Sequence, residues 1–170
     1  MGGAVDKAFD VMEALVEHSR LADIAAATAL PHLEDLQRRT GRTVHLALLS
    51  GDEAVYVAKV EGDKPYRLAS RVGMSLHLHR TSIGKAMLAA MGDDEVAGIA
   101  GRTGLPGRSP GTITEVGPLL AEVAATRARG WAEDHEVRAR ARRAAVVGLL
   151  GMELVTGEAL ILDGGKHITY

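Results

Sequence analysis

Residues 76–91, LHLHRTSIGKAMLAAM, gather two histidines, a Thr-Ser pair and Gly84-Lys85 ahead of an apolar run. A phosphate-binding loop needs Gly-x-x-x-x-Gly-Lys-Ser/Thr, so that successive backbone amides wrap the anion. Here His79 stands five residues before Gly84 and Ala86 follows Lys85, so both ends of that motif fail. His77 and His79 are two apart, which on a strand points both rings to one side, the start of a metal site. No third ligand lies close in sequence, and histidine pairs on sheets commonly hold no metal. Ser82 and Lys85 have the Ser-x-x-Lys spacing of some acyl-transfer enzymes. The Ser-Asp-Asn and Lys-Thr-Gly partners of that machinery are absent, so a helix cap followed by an exposed lysine is the plainer reading.

A further possibility needs no reactive side chain. Thr81 to Gly84 reads as a helix start built of small residues, and the first amides of a helix have no partner inside it. Such amides hold anions, and a small carboxylate suits the space. A second polar stretch, GWAEDHE at residues 130–136, places Trp131, Glu133, Asp134, His135 and Glu136 just past a helix end. It is either a solvated turn or a polar wall of the same pocket, with Asp134 accepting hydrogen bonds from a ligand hydroxyl.

These residues must be positioned by the rest of a 170-residue chain, long enough for one or two domains with a true core. One Trp, one Phe and three Tyr leave that core to Leu, Val, Ile, Ala and Met. With no cysteine, disulfides and thiolate metal sites are excluded, and a reducing cytoplasm fits. A net charge of −2 argues against a strongly basic nucleic-acid-binding surface. No run approaches the roughly 20 apolar residues of a membrane helix, and the start, MGGAVDKAF, lacks the pattern of a signal peptide.

The apolar spacing predicts helices over 4–18, 21–30 and 31–40, the third opened by Pro31 and stopped by Gly41. TVHLALLS and EAVYVAKV are β-rich runs joined at Gly51-Asp52, a hairpin, and YRLASRV, residues 66–72, reads as a third strand. Helices follow over 81–91, capped by Thr81 or Ser82, and over 92–101, capped by Asp93 or Asp94. A Gly/Pro/Arg loop spans 101–111. A helix over 112–129 starts at Thr-x-x-Glu and stops at Gly130. RAAVVGLLGMEL and GEALILDGG read as strands, and VRARARRA, which leads into the first of them, as a strand edge or a solvated helix. There is no internal repeat. The order predicts an α+β domain with a mostly antiparallel sheet flanked by helices.

Several spaced motifs, in order, resemble the IclR family of bacterial transcriptional regulators. MSLHLHRTSIGKAMLAAM is similar to that family's Leu-Pro-Leu-His-x-Thr-Ala-x-Gly-Lys-Ala-x-Leu-Ala box. LPHLEDLQRRTGRTVHLALLSGDEAVYVAKVEG resembles its linker helix and first hairpin, and TITEVGPLLAEVAATRARGWAEDHE its Thr-Ile-Thr to Gly-Tyr/Trp-Ala-x-Asp segment, so the likeness runs over roughly residues 30–136. The resemblance implies a GAF-like effector-binding domain for small organic acids, with Ser82, Ile83 and Gly84 on one wall and Asp134 on the other. It implies no cofactor and no metal, a homodimer or tetramer, a cytoplasmic location and no membrane. DNA is implied as a partner by the resemblance alone.

Two departures stand beside it. Residues 1–30 resemble only the first two helices of the family's winged helix-turn-helix, a remnant without the recognition helix that would enter the major groove. Residues 31–170 are then the GAF-like domain, with 137–170 atypical. The family's pocket Cys or Ser falls near Ala144, and the following Pro is absent. VTGEALILDGG instead resembles the end of a short-chain dehydrogenase/reductase. The Gly-rich turn of such an enzyme is missing, and Tyr56 and Tyr66 are followed at the fourth position by Val60 and Ser70, where its catalytic lysine is needed. The leading expectation is a non-catalytic effector-binding module. A dimerisation domain with an empty pocket is second, and a reductase fragment last.

Overall fold

A computed structural model describes residues 3–63, 69–133, 144–147 and 159–163. The elements are α1 (Gly3–Thr40), β1 (Val44–Ser50), β2 (Glu53–Val60), β3 (Ser75–His77), α2 (Ser82–Ala89), α3 (Asp93–Thr103), α4 (Val116–Arg129), β4 (Trp131–Ala132), β5 (Ala144–Val147) and β6 (Ala159–Asp163). The strands form one sheet in the order β3-β2-β1-β6-β5-β4, and every neighbouring pair is antiparallel. The α+β architecture read from the sequence is thus the observed one.

The three N-terminal helices expected are a single helix of 38 residues with Pro31 inside it. Proline removes one backbone hydrogen bond and crowds the carbonyl four residues earlier, which costs about 3 kcal/mol in a helix interior. The alanines of 25–29 favour helix on the preceding side, and packing of Leu33 and Leu36 against the sheet holds the helix beyond it. Gly41, at φ +63°, ends it as expected, its N–H bonded to Gln37 O at 2.7 Å. Asp35 pairs with Arg38 and Arg39 at the exposed end of α1.

The β1–β2 hairpin turns at Gly51-Asp52, with Ser50 opposite Glu53 and Gly51 at φ +59°. A bulge between Leu46 and Ala47 shifts its register. Arg102 of α3 grips the Asp52 carboxylate with two bonds of 2.8 Å and ties the turn to the helical layer.

The third strand forms later than expected. Residues 69–72 are bends and turns, residues 66–68 lie outside the described residues, and pairing with β2 begins at Ser75. Ser70 is engaged sideways instead. Its carbonyl accepts the Lys59 ammonium at 2.8 Å and its hydroxyl meets His45 Nε2 at 2.7 Å. The chain joins β2 through Gly73 N–H to Tyr56 O at 2.8 Å and Tyr56 N–H to Met74 O at 3.2 Å.

The sheet has a layer on each face. Leu33 and Leu36 of α1 cover Val44, Leu46 and Ala58. On the other face, Ala47, Ala54 and Tyr56 meet Ile83, Met87 and Leu88 of α2, backed by Val96 of α3 and Leu119 and Val123 of α4. A fully buried leucine such as Leu119 stabilises by roughly 2 kcal/mol.

Two helix starts differ from expectation. α3 is capped by Gly92, and Asp93, Asp94 and Glu95 fill its first turn, where the helix dipole favours acidic groups. It runs to Thr103, so the loop begins only at Gly104. α4 starts at Val116, because Thr112 is used elsewhere: its Oγ1 accepts from the amides of Arg108 and Ser109 at 3.1 and 3.0 Å and closes a turn. Gly130, left-handed at φ +79°, stops α4 as the sequence indicates. β5 and β6 fall within the two C-terminal runs read as strands; of VRARARRA, residues 137–143 lie outside the described residues.

Candidate ligand site at the head of α2

Thr81 caps α2 in extended conformation, and its Oγ1 accepts the Gly84 N–H at 3.1 Å. The Lys85 N–H returns to Thr81 O at 2.9 Å. Of the first-turn amides, those of Ser82 and Ile83 are left without a protein acceptor among the described residues. Both residues are buried, Ser82 to 2 % exposure. Two such donors on buried residues at the positive end of a helix dipole favour an anion.

Gly84 has a different reason to be there. A Cβ at this position would stand 2.3 Å from both Leu78 Cα and Leu78 O. Only glycine lets α2 lie this close to the segment that leads into it. Its amide is already spent on Thr81, so Gly84 sets the position of the amides before it.

The histidine pair does not share a strand face, because β3 ends at His77. The rings lie 5.8 Å apart. His79 is buried with Nε2 3.3 Å from Pro106 O, and His77 Nδ1 is 3.9 Å from Glu53 Oε1. Among the described residues, no group of three His, Cys, Asp or Glu is placed to hold a metal. The Ser82-x-x-Lys85 spacing makes no dyad either. Lys85 is not an exposed lysine; it is 4 % exposed, and its Nζ donates to Glu133 O at 3.0 Å.

The second polar stretch is more than a turn. Trp131 and Ala132 form β4, with Trp131 opposite Val147 and Ala132 opposite Val146. Arg129 lies over the Trp131 ring, 4.7 Å from its centroid, and donates to Trp131 O at 2.6 Å. Asp134 follows Glu133 directly but, like His135 and Glu136, lies outside the described residues. Ala144 is the first residue of β5, opposite Asp163. The register runs His45–Ile161–Val146–Ala132 across the sheet, and Ala144, two residues from Val146, shares that face. It is the face that α2 covers, since Ala47, two residues from His45, and Ala132 both pack in the α2 core.

Sequence reasoning missed a polar cluster on this face. His45 of β1 is 2 % exposed, stacks on Tyr56 with ring centroids 4.7 Å apart, and has a buried Nδ1 without a hydrogen-bond partner among the described residues. Burial, helped by the neighbouring Lys59 charge and opposed by Glu61, pulls its pKa down to about 4. A histidine inside the β-rich run TVHLALLS was the available signal.

The fold defines a class: an α+β domain with an antiparallel sheet covered by helices, with the head of α2 against one face of that sheet. The description "Bacterial transcriptional regulator IclR C-terminal" matches residues 18–149. This chain belongs to the IclR family, and the matched part is its effector-binding domain. It is 36% identical over 131 residues to the HTH-type transcriptional regulator XynR of Escherichia coli K12, covering 77% of this chain and 52% of that protein. The chain therefore spans about half the length of the curated relatives it matches. The IclR structure from Thermotoga maritima superposes with a TM-score of 0.76 at 32% identity, covering 88% of this chain and 62% of that one. A double mutant of the Acinetobacter PobR inducer-binding domain, in complex with 3-hydroxybenzoic acid, superposes at 0.70 with 25% identity and 81% of each chain covered.

Proposed function

We propose that this chain senses a small organic acid for an IclR-type transcriptional regulator and alters DNA binding when the site fills. The buried amides of Ser82 and Ile83 at the head of α2, which have no protein acceptor among the described residues, carry this reading. The ligand carboxylate sits on those amides, and Asp134 receives a hydroxyl from the ligand's far end. Ala144 stands at the family's pocket Cys or Ser position. The PobR domain's hydroxybenzoic acid has both groups. Occupancy favours one arrangement of the domain by differential affinity, and α1 passes it on. Residues 1–30 act as the remnant of a helix-turn-helix, with DNA as a partner of the assembled regulator, and 31–170 as the sensing domain. The protein works in the cytoplasm; among the described residues no helix is long and apolar enough to cross a membrane.

The module is not an enzyme in this reading. Among the described residues the one Ser–His pair, Ser70 with His45, has the imidazole Nδ1 unpartnered, where an acyl-transfer triad places an orienting carboxylate. Its pKa of about 4 makes His45 a poor base near neutrality.

A second reading, a dimerisation domain without ligand, is favoured by Ile24 and Leu30 on α1, which are 62 % and 41 % exposed. Calorimetric titration with hydroxybenzoates and small aliphatic acids separates the two. Asp134→Ala is expected to weaken binding of a hydroxy acid about 10-fold, the worth of one hydrogen bond to a charged group. An unchanged dissociation constant would remove Asp134 from the site.

A further inference from the structure

We propose that Lys85 is the charge-recognition residue of this site, a buried ammonium whose counter-ion is the carboxylate of the ligand. The inference rests on the acid-sensing reading above and adds the residue that selects anion over neutral ligand. Lys85 is 4 % exposed, and among the described residues its Nζ has one partner, the neutral carbonyl of Glu133 at 3.0 Å. An ammonium has three donors. Among the described residues no carboxylate lies within ion-pair distance of it, although seven other basic side chains have such a partner. Nor does α2 itself contain an acidic residue. A cation removed from water without a counter-charge is costly, so a fold that keeps one has another use for it.

The position suits that use. Lys85 is three residues from Ser82, so the two share a helix face. The unmet amides and the ammonium add positive potential at the same end of the same helix. The Glu133 carbonyl that Lys85 holds belongs to the residue just before Asp134. A carboxylate on the α2 amides would complete the charge balance of Lys85. A carboxamide of the same shape would not.

The experiment uses the full chain and two matched probes, 3-hydroxybenzoate and 3-hydroxybenzamide. Affinities and ligand-free melts are measured for wild type, Lys85→Met and Lys85→Arg. Lys85→Met is expected to weaken the acid about 10- to 100-fold and leave the amide nearly unchanged. Lys85→Arg should retain the preference for the acid. The ligand-free Lys85→Met protein should melt at or above wild type, because an uncompensated buried charge is gone. Equal loss of acid and amide, or a ligand-free melt well below wild type, would make Lys85 a structural tie to β4 and overturn the proposal. Non-additive ligand-free melts of Lys85→Met and Asp134→Asn would overturn it too, by making Asp134 the resident counter-ion. If wild type binds neither probe, the ligand assignment falls, while the ligand-free melts still decide whether the lysine is uncompensated.

Discussion

Gly84→Ala is expected to lower the melting temperature by about 10 °C. On helix propensity alone the sign would be opposite, since alanine in place of glycine inside a helix gains roughly 1 kcal/mol. Steric contact decides the matter. The new Cβ would stand 2.3 Å from the backbone of Leu78, and backbone has no rotamer into which it can retreat. Overpacking of this kind costs about 3 kcal/mol or more. At roughly 2–4 °C per kcal/mol for a domain of this size, the shift is about 10 °C. Moving α2 off Leu78 also displaces the amides of Ser82 and Ile83, so ligand binding should fall with stability. Gly101 in α3 is the control, because nothing lies within 4 Å of a Cβ built there. Thermal unfolding by circular dichroism should show Gly101→Ala neutral or slightly stabilised. A Gly84→Ala protein as stable as wild type would mean that α2 does not need its close approach.

Acid should destabilise the fold through His45 before most carboxylates titrate. Its pKa falls from 6.5 to about 4 on folding, so between those values the unfolded chain binds a proton that the folded chain refuses. Stability is therefore whole above pH 6.5, declines as pH falls through the window, and stops declining from this source below about 4. The total is on the order of 3 kcal/mol. The bond from Arg102 lowers the Asp52 pKa from 3.8, which puts its titration below this window. Urea titrations at pH 7.5, 6, 5 and 4.5 should show the decline in wild type and a much flatter profile in His45→Gln. Equal slopes for both would place the acid sensitivity elsewhere.

How much of this was legible depended on whether local pattern or distant contact decided each residue. The hairpin at Gly51-Asp52 and the stops at Gly41 and Gly130 are local, and the sequence showed them. The helix start at Thr81 was also local, since Thr81 caps α2 with its own side chain. The break expected at Pro31 was overridden by burial of Leu33 and Leu36 against the sheet. YRLASRV has strand composition, but His45 and Lys59 engage Ser70 from the side, so pairing begins only at Ser75. Thr112 lost its expected capping role to a turn with Arg108 and Ser109. Lys85 was read as exposed because nothing near it in sequence announces β4; the carbonyl it reaches is 48 residues away. The setting of His45 was hidden for the same reason, its partners being 11 and 25 residues distant.

Binding of a small acid at the head of α2 is tested most directly by a ligand-dependent thermal melt. Fluorescence of Trp131, the only tryptophan, reports unfolding from β4, beside the proposed site. The panel comprises small aliphatic and aromatic carboxylates. An acid at about 100 times its dissociation constant adds about 2.7 kcal/mol, which for a chain of this size raises the melting temperature by roughly 5–10 °C. A cooperative transition that one acid moves upward by that amount, and that its amide does not move, is the predicted result. A cooperative transition that no member of the panel shifts would contradict the claim and favour the interaction domain instead.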